Sequence, residues 1–190
     1  MISREATLSI IALSALVTIT SWMAIKNSEI PPETGIVTQT GVVQNLSLNQ
    51  TNQLGQLAYS ATIDSITQFS NGNNNFMNLN ATAYNQNNDP PWHLIAPNGQ
   101  TLDNNNQIVL AGNVVLFREA TAKASAIRVE TQSATIYSQE NYAQTTYPIK
   151  IYEPGTKNVT TAVGANANFK TQQVSLLSQV ISTYEPYLHH

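Results

Sequence analysis

An uncharged run from Ala6 to Ile25, with Arg4 and Glu5 in front and Lys26 behind, sets the first constraint on this chain. As a helix these twenty residues rise about 30 Å, the thickness of a bilayer's hydrocarbon core. A cleaved signal peptide would carry a shorter apolar core, about 7–15 residues, followed by a small-x-small site. The sequence Trp22-Met23-Ala24-Ile25-Lys26 offers no such site, and Trp22 suits an interfacial ring at the outer end of a span. Residues 1–26 are therefore expected to form a single transmembrane anchor, 27–40 a linker, and 41–190 one domain. The flanking charges are too few to orient the span by the positive-inside rule; the anchor's place ahead of the domain puts that domain outside the cytoplasm.

Beyond Lys26 the sequence changes character. Charged residues make up 10% of the chain, against about 25% in typical soluble domains; Asn, Gln, Ser and Thr carry solubility instead. The basic residues there (Arg118, Lys123, Arg128, Lys150, Lys157, Lys170) form no cluster, which argues against a nucleic-acid surface. With no cysteine, disulfides, thiolate metal sites and a cysteine nucleophile are excluded.

Apolar residues recur at period two. Leu57, Tyr59, Ala61 and Ile63 share one face, with Ala58, Ser60, Thr62 and Asp64 on the other. The same beat runs through Trp92/Leu94/Ala96, Ile108/Leu110, Ile127/Val129, Ile149/Ile151 and Val174/Leu176. These are short, half-buried antiparallel strands, and no segment after Lys26 keeps a helical period. Asn71-Gly72-Asn73-Asn74-Asn75 and Asp103-Asn104-Asn105-Asn106 lie between them and supply the positive φ of tight turns.

The strands repeat in groups. Segments 61–84, 94–117, 129–152 and 161–184 overlay without a gap. The overlay aligns Phe69 with Leu102, Tyr137 and Phe169, then Ala81 with Val114, Ile149 and Ile181, and closes on Tyr84, Phe117, Tyr152 and Tyr184. A unit of two or three strands cannot bury its own apolar face, so successive units must stack into an elongated all-β domain. Such a stack leaves two open edges, each a template for another strand. The last strand, around Val174 to Tyr184, is apolar and free of charge, with Lys170 before it and Glu185-Pro186 after it; an unguarded edge of this kind suits strand addition by a partner.

Catalytic chemistry is missing from the pattern. His93 is the one histidine inside the domain; alternation turns it away from Trp92 and Leu94, where it is expected to be solvated. Asp64, Asp89, Asp103, Glu119, Glu130, Glu140, Glu153 and Glu185 are scattered, with no pair spaced for glycosidase work. No calcium loop, phosphate loop or ATP-binding motif is present. The chain reads as a binding protein without cofactor or metal, not as an enzyme.

Gly55-x-Leu57-x-Tyr59-x-x-x-Ile63, Pro91-Trp92-x-x-x-Ala96 and Ile108-x-Leu110-x-Gly112-x-Val114 carry a family resemblance. With Val129-x-Thr131 and Val174-x-Leu176-x-x-x-Val180-x-x-x-Tyr184, they resemble the LptC family of lipopolysaccharide-export proteins over almost the whole chain. The anchor and single short domain favour that family over the soluble bridge protein LptA. The resemblance implies a twisted, OstA-like β-jellyroll in the periplasm, open as a trough and held to the inner membrane by one helix. It implies partners too: lipopolysaccharide is received from an inner-membrane ABC transporter and passed to LptA. On this reading the trough candidates are Leu57, Tyr59, Ile63, Trp92, Leu94, Ile108, Leu110, Val129, Ile149 and Leu176. Val42, Leu46, Leu48 and Gly55 are candidates for docking the transporter, and Val174, Leu176, Val180 and Tyr184 for the edge that meets LptA. Gly55, entering its strand, is expected to mark a bulge or a close backbone approach. An acyl chain gains about 0.8 kcal/mol per buried methylene, so a multi-chain lipid needs a continuous apolar path. A structural adaptor with a closed core, and a carbohydrate-binding jellyroll, are the alternatives.

Overall fold

The computed structural model describes residues 36–84, 90–103, 105–122, 125–168, 171 and 173–185. The expected anchor over 1–26 lies outside the described residues, and among those residues there is no helix long and apolar enough to cross a membrane. The described residues form one antiparallel sheet of nine strands, with neighbours in space following chain order from end to end. The strands are β1 (Gln39–Thr51), β2 (Leu57–Phe69), β3 (Asn74–Ala83), β4 (Trp92–Leu102) and β5 (Gln107–Arg118), then β6 (Ile127–Tyr137), β7 (Tyr142–Tyr152), β8 (Val159–Asn168) and β9 (Gln173–Thr183). The all-β antiparallel expectation is met. The sheet begins at Gln39, within the stretch assigned to the linker.

The sequence repeat is a hairpin. Its four copies fall on β2–β3, β4–β5, β6–β7 and β8–β9, so each unit holds two strands. Residues 70–73, 103–106, 138–141 and 169–172 connect the strands of the four hairpins. Gly72, Asp103 and Asn105 take positive φ, as the two Asn-rich turns predict, and Asn141 does so in a turn the sequence did not single out. Ala81, Val114 and Ile149 are buried at 5%, 5% and 9% exposure, while their equivalent Ile181 is 67% exposed, because it pairs with Thr161 in the outward row of Glu130 and Lys150. The aligned Phe169 lies outside the described residues.

Simple alternation misses a crease across the middle of the strands. Asn45 on β1 and Asn78 on β3 both have positive φ and flank Asp64, whose Oδ2 accepts from Asn78 Nδ2 at 2.7 Å. The line continues through the register shift between Ile95 and Asn98, through Gly112 and Asn113, and past Thr145–Pro148 to Gly164 and Gln179. Buried residues are three apart where strands cross it: Ile63 and Ile66, Phe76 and Leu79, Ala162 and Ala165. A pure period of two puts inward residues an even number apart. From the β4–β5 pairing onward the register shifts by one residue there, as in a bulge; over β1–β3 the pairing stays in step, and the positive φ of Asn45 and Asn78 turns the chain instead. In both cases the apolar face stays inward on both sides.

The largest core cluster runs from Ala61, Ile63 and Ile66 through Phe76, Leu94, Ile108 and Leu110 to Ile136 and Ala143, with Leu46, Leu48 and Ala167 packed on it. Smaller clusters form around Ala83 and Trp92, and around Ile149, Ala162 and Ala165.

Candidate functional site

Ladder register converts the inward residues into transverse rows. One row passes Leu48, Ala61, Ala81, Leu94, Leu116, Val129 and Ile151, each the direct partner of the next. Seven strands at about 4.8 Å spacing make this row about 29 Å long with no polar side chain in it. It ends at Thr160 and Ser182, whose hydroxyls are 2.9 Å apart. A second row across the crease joins Val43, Ile66, Phe76, Gly99, Leu110 and Ala134.

The trough candidates divide by depth. Ile63, Leu94, Ile108 and Leu110 meet in one cluster at 1–4% exposure, filled by their neighbours. Trp92 is buried beside half-buried Tyr59 in the second cluster. Ile149 joins half-buried Val129 and Leu176 in the third. Leu57 belongs to none of these clusters and stands exposed at the rim. The inward face is thus packed shut from β2 through Ile136 and Ala143 on one side of the crease, and half-open at Val129, Ile151 and Leu176.

Of the transporter candidates, Leu46 and Leu48 pack onto the core, whereas Val42 is exposed on the other side of the crease at Asn45. Gly55 corrects the expectation of a close approach. It sits in the β1–β2 turn at φ +76°, where a Cβ would meet nothing within 4 Å. The turn is closed by Asn52, whose Oδ1 accepts from the N–H groups of Leu54 and Gln56. The tightest approach among the described glycines is at Gly99, under the Phe76 ring, and it was not signalled by the alternation.

Both outer strands are edges among the described residues. Along β9 every residue but Leu176 is exposed, including Val174 at 40% and Val180 at 50%, with Tyr184 beyond the strand at 71%. On β1 only Gly41, Leu46 and Leu48 are partly covered.

The outward face near one end of the strands carries a polar ladder in which His93, Phe117, Arg128 and Tyr152 are successive partners. Here His93 departs from the solvated expectation. Its ring is half-buried, stacked on Phe117 at 4.8 Å between centroids, and its Nδ1 is 3.1 Å from the Thr82 hydroxyl. Arg128 lies over the other side of this row, 5.5 Å from the Phe117 ring. Glu130 accepts from Arg128 Nε at 2.7 Å and from the Tyr152 hydroxyl at 2.9 Å. The hydrogen bond from Arg128 holds the Glu130 carboxyl below its ordinary range, and the same bond raises the guanidinium's pKa. Burial pushes the Tyr152 phenol up, with its donation to Glu130 adding to the shift. Glu153 is lowered by hydrogen bonds from Ser125 and Asn158. No group of three His, Asp or Glu able to hold a metal exists among the described residues.

Sequence reasoning counted Arg118 only among scattered basic residues. It lies on the inward face, 2% exposed, at the end of the beat Val114/Leu116/Arg118. That continuation of an apolar period into a charge was the available signal.

A family model described as "Lipopolysaccharide-assembly, LptC-related" matches residues 8–185. No curated protein matches the chain. Among solved structures the sheet is similar to LptH, the LptA-homologous periplasmic component of the conserved lipopolysaccharide transport device from Pseudomonas aeruginosa. That match has a TM-score of 0.42 and 10% identity, covering 60% of this chain and 85% of LptH.

Proposed function

Because this chain belongs to the LptC family over residues 8–185, we propose that it carries lipopolysaccharide along its inward apolar face in the periplasm. In this reading the nine-stranded sheet is a twisted β-jellyroll held at the inner membrane by residues 1–26. The β1 edge docks on the ABC transporter and the β9 edge passes lipid to LptA. The supporting observation is the unbroken apolar row from Leu48 to Ile151, which starts on the β1 edge and crosses seven strands. Aliphatic walls without polar contacts let acyl chains slide, since no single site holds them. Direction then comes from the transporter.

The close packing of Ile63, Leu94, Ile108 and Leu110 at 1–4% exposure favours a second reading, a structural adaptor with an ordinary core. A photoreactive residue separates the two. Placed at Val129 or Leu176 on the half-open inward face, it should capture lipopolysaccharide in membranes holding the transporter, while the same probe at outward Thr161 should not. Normal partner binding with no lipid adduct at either inward position would instead establish the adaptor.

A further inference from the structure

Among the described residues the inward face carries one buried cation that the apolar path does not use. Arg118 ends β5 in the row Tyr59, Ala83, Trp92, Arg118 and Ile127, adjacent to the long apolar row through Leu116. Arg118 and Trp92 are 2% and 3% exposed, and the guanidinium carbon lies 5.2 Å from the centroid of the Trp92 rings. Nη2 donates to the Ser125 carbonyl at 3.3 Å. Among the described residues, Arg118 Nε and Trp92 Nε1 are both buried donors with no hydrogen-bond partner. Among the described residues no carboxylate forms an ion pair with Arg118. Glu153, at the end of β7, instead accepts from Asn158 at 2.9 Å and from the Ser125 side chain.

A guanidinium taken out of water without a counter-charge is costly, and so is each buried N–H left open. Two such donors on directly paired residues define an acceptor site for an oxyanion. An arginine fork matches the geometry of phosphate oxygens, and an indole N–H adds one neutral donor. The apolar row through Leu94 and Leu116 lies directly beside this point, so the ligand that satisfies both features has a phosphate head and alkyl chains. We propose that Arg118 and Trp92 form a subsite for the phosphate monoester headgroup of an amphiphile whose chains lie along that row. This inference rests on the lipid-carrying reading above and adds to it a headgroup station.

The full chain in an uncharged polyoxyethylene detergent, with Trp22→Phe so that Trp92 is the one tryptophan, provides the measurement. Monododecyl phosphate mixed into the micelles should shift Trp92 emission saturably. Inorganic phosphate alone, and dodecyl maltoside, should not. Arg118→Gln should weaken the response about tenfold or more, the loss expected for a charged hydrogen bond. If that variant is less heat-stable, Arg118→Lys keeps the charge but not the fork, and should still bind several-fold more weakly than wild type. Saturation by inorganic phosphate at the same concentration would make this a free-anion site and overturn the headgroup assignment. Equal binding of dodecyl phosphate by wild type and both variants, or no binding by any, would overturn the site itself. Lipid capture at Val129 that persists in that case leaves the carrier reading standing, whereas its absence in the wild-type chain removes the carrier reading directly.

Discussion

Phe76 lays its ring over the backbone of Gly99, its direct ladder partner on β4, so that a Cβ at position 99 would overlap the ring. The pair occupies the middle of the inward row that runs from Val43 to Leu110 and Ala134. Phe76 therefore fills the space of two residues on the face, and Gly99 is required by contact rather than by its backbone angles. Gly99→Ala should cost about 1–3 kcal/mol, the range for overpacking a core, and lower Tm by several degrees. Shortening the ring with Phe76→Leu should restore part of that loss in the double variant. An unchanged Tm in Gly99→Ala alone would show that the ring moves aside at no expense.

Gly55 presents the opposite case. Its surroundings are empty, and only its φ of +76° excludes other residues. Gly55→Val should cost about 1–2 kcal/mol, because a β-branched side chain resists the left-handed region. Gly55→Asn should be close to neutral, as Asn tolerates that region. Transporter co-purification alongside Tm separates the two roles of this turn. Loss of binding in the Val variant alone points to the turn's conformation, whereas loss in both points to a side chain in the way of the docking partner.

How far the sequence reached is visible at these positions. Period two located the strands at Leu57–Ile63, Trp92–Ala96 and Ile108–Leu110, and the gapless overlay delimited four hairpins. Alternation is a local property that survives in a single sequence. The crease was not legible, because the register shifts from β4 onward are fixed by two neighbouring strands, and the positive φ at Asn45 or Asn78 leaves no mark that sets either apart from any other Asn in an Asn-rich chain. Depth was not legible either. Leu94 and Leu57 are equally apolar, yet one is shut inside the cluster and the other exposed at the rim, a difference set by which strands lie opposite. His93 was misjudged for the same reason, since its stacking partner Phe117 lies on the next strand.

Acid should weaken the outward ladder. Glu130 has a lowered pKa in the folded chain, so its contribution is present above the unfolded carboxylate pKa and is lost as pH falls through the folded value. Arg128 and Glu130 are each 35% exposed, so the pair contributes only about 0.5–1 kcal/mol after solvent screening. Glu130→Gln should lower Tm slightly at pH 7 and leave it nearly equal to wild type well below the ordinary carboxylate range. A gap between the two that stays constant from neutral to acid pH would show that the loss is one of packing and not of charge.

The β9 edge provides the test of the outgoing interface. Val174, Leu177, Val180 and Ile181 are exposed along it, and its nearest ion pair, Lys157 with Glu185 at 3.3 Å, lies past the end of the strand. Strand addition draws its affinity from backbone hydrogen bonds, so alanine at these positions should change little. Proline removes a donor and stiffens the chain. Val180 lies in the register shift between Ser178, paired with Val163, and Ile181, paired with Thr161, so a ring there should disturb the β8–β9 ladder least. Val180→Pro should therefore abolish binding to LptA, leave transporter binding intact, and change Tm by no more than a few degrees. Deleting the chain from residue 173 should give the same binding pattern with a larger stability loss, since Ala162 and Ala165 on β8 would lose Leu176 as cover. Binding to LptA that survives both changes would exclude β9 as the outgoing edge. Loss of the transporter with LptA retained would assign the two edges the other way round.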